Sequence, residues 1–325
     1  MHRQSLSISH PIDLSKADAG LLSPTLASAP DALRIHGLSK SFGKTSVLKE
    51  LDLDVPRGSV YALLGRNGAG KSTLIQLMLG ILQPTAGQIR VLGLDPVRDG
   101  VELRQRVGYI PERLPMYDWM TVEETLRFVS PHYRNWSMED ESRLVTTFRL
   151  DRTKKVRELS RGNIALLALV IAMAHDPELV LLDECTSGMD AIARSEFDRT
   201  VIDALHGSNR TVFFASHQIH EIERFCDWVG ILHNGRLLLQ APVDSIKGSV
   251  KMLRVAGMDE EEATLRQSPN VLTARSAGRE WLITVQDYDE MTPPKTFFSG
   301  SVKEAVDLSL EEIFVALVAK EEGRA

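Results

Sequence analysis

The sequence predicts an α/β fold with a largely parallel central sheet and an added antiparallel part. Three observations lead there. Short apolar runs of strand length recur at Val60–Leu64, Val107–Ile110, Leu179–Leu182, Thr211–Ala215 and Val229–Leu232, interleaved with helical patterns. The first run ends in a Gly-rich loop, and "KSTLIQLMLG" from Lys71 to Gly80 has helical character. The third observation is the pair of carboxylates, Asp183 and Glu184, that closes the run "LVLLDE".

Taken in order, Leu33–Leu38 reads as a strand. Leu51, Leu53 and Val55 then alternate with Asp52 and Asp54, the period of a half-buried strand, which suggests an added antiparallel part. "HNGR" places an Asn234-Gly235 hairpin turn before a strand over Arg236–Gln240. From Thr121 to about Glu158 the pattern is helical and strand-poor, an inserted helical subdomain of about 113–160. The apolar run Ile164–Ala174 is shorter than the roughly 18 residues a membrane span needs, and His175-Asp176-Pro177 stops it. It reads as a buried helix.

Residues 1–30, rich in Ser, Ala and Pro, read as a flexible leader without the pattern of a signal peptide. Residues 31–241 are expected to form the main α/β domain, and 242–325 a small α+β accessory domain. The latter has strands expected at Val250–Val255, Val271–Arg275 and Trp281–Val285. Its closing helix, "LSLEEIFVALVA", carries a capping-box pattern at Ser309 and Glu312.

Composition narrows the function. With 325 residues and 43% hydrophobic content the chain can bury a substantial core. A net charge of −6 disfavours a nucleic-acid partner, whose binding rests on clustered Lys and Arg. Two cysteines, Cys185 and Cys226, in apolar surroundings point to a reducing compartment rather than a disulfide framework.

The chemistry is concentrated in "GRNGAGKST", which matches G-x-x-x-x-G-K-[ST] over Gly65, Arg66, Asn67, Gly68, Ala69, Gly70, Lys71, Ser72 and Thr73. Glycines let backbone amides turn inward around phosphates, and the helix start adds partial positive charge. Lys71 is placed to reach the β- and γ-phosphates, and the Ser72 hydroxyl to ligate Mg2+. By itself the loop does not separate a kinase, a GTPase or an ATPase. Asp183, at the C-terminal end of a buried strand, is a second Mg2+ candidate. Glu184 is a candidate to polarise an attacking water.

With these motifs in this order, residues from about Leu33 to Ala241 resemble the ATP-binding subunits of ABC transporters. The resemblance gives further expectations. "SFG" puts Phe42 where an aromatic stacks on adenine. "GYIPE" puts Glu112 where a glutamine usually contacts Mg2+ and water. "LSRGN" stands where the family has LSGGQ, so Ser160 and Gly162 are expected at the γ-phosphate held by the opposite subunit of a head-to-tail dimer. "SGMD", Ser187 to Asp190, resembles the loop that communicates across that dimer, and His217 matches the switch histidine. The resemblance implies ATP and Mg2+ as ligands and a transmembrane permease on a separate chain as partner. It also implies a peripheral position on the cytoplasmic face of the cell membrane and an exporter-like role. The rivals are a soluble ATPase of the same type acting on ribosomes or DNA, and an ATP-binding regulatory module without turnover.

The chain departs from the family at four places: Arg161 in the signature, Asn163 with the "IALL" that follows it, Glu112, and Cys185 in place of the proline of "DEPT". A dense aromatic group, Tyr117, Trp119, Phe128, Tyr133 and Trp136, is either a permease-docking surface or the helical subdomain's own core.

Overall fold

A computed structural model describes residues 31–186, 210–217, 225–256, 268–288 and 301–323 in full, with scattered residues between. The leader lies outside this set, as does the "SGMD" loop apart from Met189.

The apolar runs become the core of a six-stranded sheet. Its members are β3 (Val60–Leu64), β5 (Val107–Ile110), β6 (Leu179–Asp183), β7 (Thr211–Ser216), β8 (Trp228–His233) and β9 (Arg236–Pro242), in the order β5-β6-β7-β3-β8-β9. All neighbours run parallel except β8 and β9, the hairpin turned by Asn234 and Gly235. Burial on both faces explains the unbroken apolar runs: every residue of β6 is buried, and Tyr61 stacks on Phe213 between β3 and β7.

The alternating segment joins an antiparallel sheet ordered β2-β1-β4, from β1 (Leu33–Phe42), β2 (Thr45–Val55) and β4 (Ala86–Val91). Leu33, Ile35, Leu51, Leu53 and Val55 face one core together with Leu74, Ile75 and Leu77 of α1 (Lys71–Met78), the helix after the Gly-rich loop. Gly80, at φ +68°, ends that helical turn. A short helix, α2 (Gly100–Gln105), leads into β5.

The helical insertion consists of α3 (Val122–Val129) and α4 (Met138–Thr147), followed by α5 (Arg161–Met173). Thr121 and Glu124 close a capping box on α3. The apolar stretch of α5 is buried because it packs on β5 and on α4. Asp176, at φ +54°, turns the chain toward β6. The aromatic group divides. Tyr133 stacks on the buried His175 at 4.0 Å, and Trp136 donates Nε1–H to Glu141 at 2.9 Å. Tyr117 lies against both Trp119 and Phe128 at the surface, and all three are more than half exposed.

After α6 (Val243–Ser249), strands β10 (Lys251–Ala256), β11 (Val271–Ala277), β12 (Glu280–Val285) and β13 (Ser301–Asp307) form an antiparallel sheet ordered β11-β12-β10-β13. Its own small core holds Leu253, Val255, Ile283 and Val285. The closing helix, α7 (Leu310–Glu321), carries the expected capping box of Ser309 and Glu312. Leu310 and Ile313 of α7 are buried in the main core rather than in that sheet's own.

Candidate nucleotide site

The C-terminal ends of β3, β6 and β7 lie side by side, and the functional side chains hang from them. The loop after β3 is tied to β7 by the amide of Gly65, which donates to the Ser216 carbonyl at 3.3 Å. Gly65 also passes so close to β8 that a Cβ there would stand 2.6 Å from the Leu232 carbonyl oxygen. Only glycine fits such an approach.

Lys71 is buried with its charge enclosed. Its Nζ donates to the carbonyls of Gly65 at 2.6 Å and Arg66 at 3.3 Å, and lies 3.0 Å from Glu184 Oε1. The last contact is an ion pair outside hydrogen-bond geometry, so this buried oxygen accepts no hydrogen bond. The other oxygen, Glu184 Oε2, accepts from His217 Nδ1 at 2.6 Å. Glu184 sits at φ +48°, a left-handed conformation that is uncommon outside glycine. One residue earlier, Asp183 Oδ1 accepts from the Ser72 hydroxyl at 3.0 Å.

Burial, helped by the negative charges of Glu184 and Glu112, pushes the Asp183 carboxyl up to about 6 against the hydrogen bond from Ser72 and the charge of Lys71. Asp183 and Ser72 thus form one bonded pair that feels the charges of Glu184 and Glu112, while no group of three or more His, Cys, Asp or Glu side chains among the described residues is gathered closely enough to hold a metal ion by itself.

The cleft above these groups has a volume of about 490 Å³ and is lined by Val47, Asn67, Gly68, Gly70, Lys71, Ser72, Thr73, Glu112, Glu184 and His217. Loop residues, Glu112, Glu184 and His217 thus share one cleft, whereas Asp183, bonded to Ser72, is not among its lining residues. Val47 is an addition that no motif marks. Tip contacts set its place: the Lys49 amide donates to Gly235 at 2.9 Å, which holds β2 against the β8–β9 hairpin. Phe42 stands outside the lining at the end of β1, 48% exposed, with Lys40 Nζ 4.9 Å from its ring centre. Arg66 turns its side chain out of the cleft toward Glu322, at 3.5 Å. Ser160 and Gly162, at the start of α5, do not line this cleft; Ser160 Oγ accepts the Asn163 amide at 3.2 Å and caps the helix.

A parallel sheet with a Gly-rich loop between strand and helix, and an acidic end on a neighbouring strand, defines a P-loop NTPase. Residues 48–187 match the family described as ABC transporter. The chain is 36% identical over 219 residues to the bacitracin transport ATP-binding protein BcrA of Bacillus licheniformis, covering 66% of this chain and 71% of that protein. It is 28% identical over 288 residues to the ABC transporter ATP-binding protein YtrB of Bacillus subtilis, covering 87% of this chain and 97% of the relative. A solved ATP-binding subunit of an ABC transporter superposes with a TM-score of 0.60 at 30% identity, over 67% of this chain and 92% of that one. The chain belongs to the ATP-binding subunits of ABC transporters, the ATPases that bind and hydrolyse ATP to power transport through a transmembrane permease. No helix among the described residues is long and apolar enough to cross a membrane.

Proposed function

We propose that the cleft binds ATP with Mg2+ and hydrolyses it to drive an exporter-type permease, with this chain peripheral on the cytoplasmic face of the membrane. The relation from Lys71 through Glu184 to His217 carries the reading. In the resting cleft Lys71 is held by two carbonyls and one carboxylate. The β- and γ-phosphates offer it stronger, charged acceptors. As Lys71 moves to them, Glu184 Oε1 loses its only counter-charge in the contact and becomes the base that takes a proton from the attacking water. His217 holds the other carboxylate oxygen, which fixes the orientation of the free one.

Amides from Gly65 to Thr73 cradle the phosphates, and Phe42 offers its exposed face to adenine. Ser72, Asp183 and Glu112 would hold Mg2+, which when bound neutralises phosphate charge. A second subunit completes the site head to tail: the capped start of α5, with Ser160 and the Gly162 amide, meets the γ-phosphate held by the partner. Tyr117, Trp119 and Phe128 form the docking surface for the permease, since an exposed cluster of touching aromatics suits an interface core. The bacitracin-transport relative supports the exporter reading.

The test is ATP hydrolysis by the purified protein, alone and with its permease. Glu184→Gln should abolish turnover while ATP still binds. ATP binding by the unaltered protein without turnover, even with the permease present, would overturn the reading in favour of a regulatory module.

A further inference from the structure

The last helix ends at the phosphate loop. α7 packs against β11 of the accessory sheet, and Lys320 near its end donates Nζ–H to the Pro269 carbonyl just before that strand. Two residues on, the carboxylate of Glu322 turns the other way. Its Oε1 lies 3.5 Å from Arg66 Nη1 and 3.6 Å from Nε2 of the buried His233. Arg66 is the second residue of the phosphate loop, and its carbonyl is one of the two that hold Lys71. His233 ends β8, the strand whose Leu232 carbonyl presses against Gly65. One carboxylate thus pairs with the loop's arginine and lies beside the end of the strand beneath the loop, where His233 Nε2 is itself 2.9 Å from the Asn234 side-chain amide.

From this geometry we propose that Glu322 is a positioning residue for the phosphate loop. It holds Arg66 outside the cleft, keeps the Arg66 carbonyl and Gly65 in the phosphate-binding conformation, and ties that conformation to the accessory sheet through α7. The physical need is plain. A loop with glycines at 65, 68 and 70 has many conformations, and ordering it on binding costs affinity. A tether at Arg66 removes part of that cost beforehand. Arg66 is 63% exposed, so the ion pair is screened and its effect is correspondingly modest.

This inference rests on the reading that the loop binds ATP, and a control separates the two. Binding of a fluorescent ATP analogue to the full-length chain is titrated for the unaltered protein, Lys71→Ala, Glu322→Gln, Glu322→Asp, Arg66→Gln and the Arg66→Gln/Glu322→Gln double variant. Loss of binding in Lys71→Ala upholds the site itself; binding that survives it overturns the site and the inference together. With the site upheld, Glu322→Gln should weaken binding about threefold, with the melting temperature of the nucleotide-free protein unchanged. Glu322→Asp, which keeps the charge, should recover part of the loss. In the Arg66→Gln background Glu322→Gln should have no further effect. Additive losses, unchanged affinity in Glu322→Gln, or tighter binding would each overturn the proposal. Tighter binding would mean that Glu322 withholds the Arg66 charge from ATP instead of ordering the loop.

Discussion

Replacing Lys71 with methionine tests the resting arrangement of the site apart from its chemistry. The change keeps the length of the side chain and removes the charge. At the 3.0 Å separation from Glu184, opposite unit charges attract by about 5.5 kcal/mol at an effective dielectric of about 20. Desolvation of both groups offsets much of this, because both are nine-tenths buried or more. What the substitution leaves behind matters more: a buried carboxylate with His217 as its partner among the described residues, and two loop carbonyls that lose the Lys71 donor. Breaking a buried pair from one side costs about 3–5 kcal/mol. For a domain of this size that lowers the melting temperature by about 2–4 °C per kcal/mol, or roughly 6–20 °C. The assay is thermal unfolding of the nucleotide-free protein for Lys71→Met, Glu184→Gln and the double variant. The double variant should recover about 1–3 kcal/mol relative to the sum of the single changes, because the buried charge left in Lys71→Met is then neutral. Lys71→Met should also gain no stability from ATP, whereas a binding protein gains about 2.7 kcal/mol at a hundredfold excess over Kd. A nucleotide-free Lys71→Met within about 1 kcal/mol of the unaltered protein, or strict additivity in the cycle, would refute the ion pair as the resting lock on Glu184.

Burial lowers the pKa of His175, so the unfolded chain takes up a proton near the free value of about 6.5 while the folded chain does not. Stability should therefore fall as pH drops through that value, and His175→Gln should flatten the dependence in denaturant titrations between pH 7.5 and 5.5. Trp119→Ala, at an exposed position, should change stability by less than about 0.5 kcal/mol yet weaken co-purification with the permease. Ser160→Ala removes the cap of α5, which should cost about 1 kcal/mol in unfolding experiments, and should reduce ATP turnover by much more than that loss of stability explains.

The legible parts of the molecule are those where burial is one-sided or complete. The strands of the parallel sheet read directly because both faces are covered, and the Leu51–Val55 alternation reads because one face is. β4 does not, since only Ile89 and Val91 of "AGQIRV" are buried. β13 is further still from legible: as an edge strand it leaves nearly all of "SVKEAVD" exposed, and backbone pairing to β10 alone defines it. The cleft residues that carry motifs are recoverable from spacing. Val47 is not, because its place depends on the approach of the β8–β9 hairpin, some 190 residues later in the chain. The same holds for the aromatic group, where composition marks five rings but only the packing of His175 and Glu141 separates Tyr133 and Trp136 from the exposed three.

The helix α5 gives the physical link between these parts. Its start carries the signature residues and its end leads to β6 with Asp183 and Glu184, so any tilt at one end is felt at the other. Packing restricts that tilt to a rigid-body motion shared with β5. A Cβ at Gly108 of β5 would stand 2.3 Å from the Ala172 carbonyl oxygen, so helix and strand are in backbone contact. β5 in turn runs to Glu112, at the edge of the cleft and close in the chain to the exposed Tyr117 and Trp119. Under the proposed docking, a load at those aromatics would reach Glu112 along the short loop that joins them, and Ser160 through β5 and the Gly108–Ala172 contact. In the proposed dimer these are the near wall of a subunit's own site and the far wall of its partner's. If one helix–strand pair bears on both walls of the proposed dimer, permease movement and closure of the two nucleotide sites should be coupled mechanically.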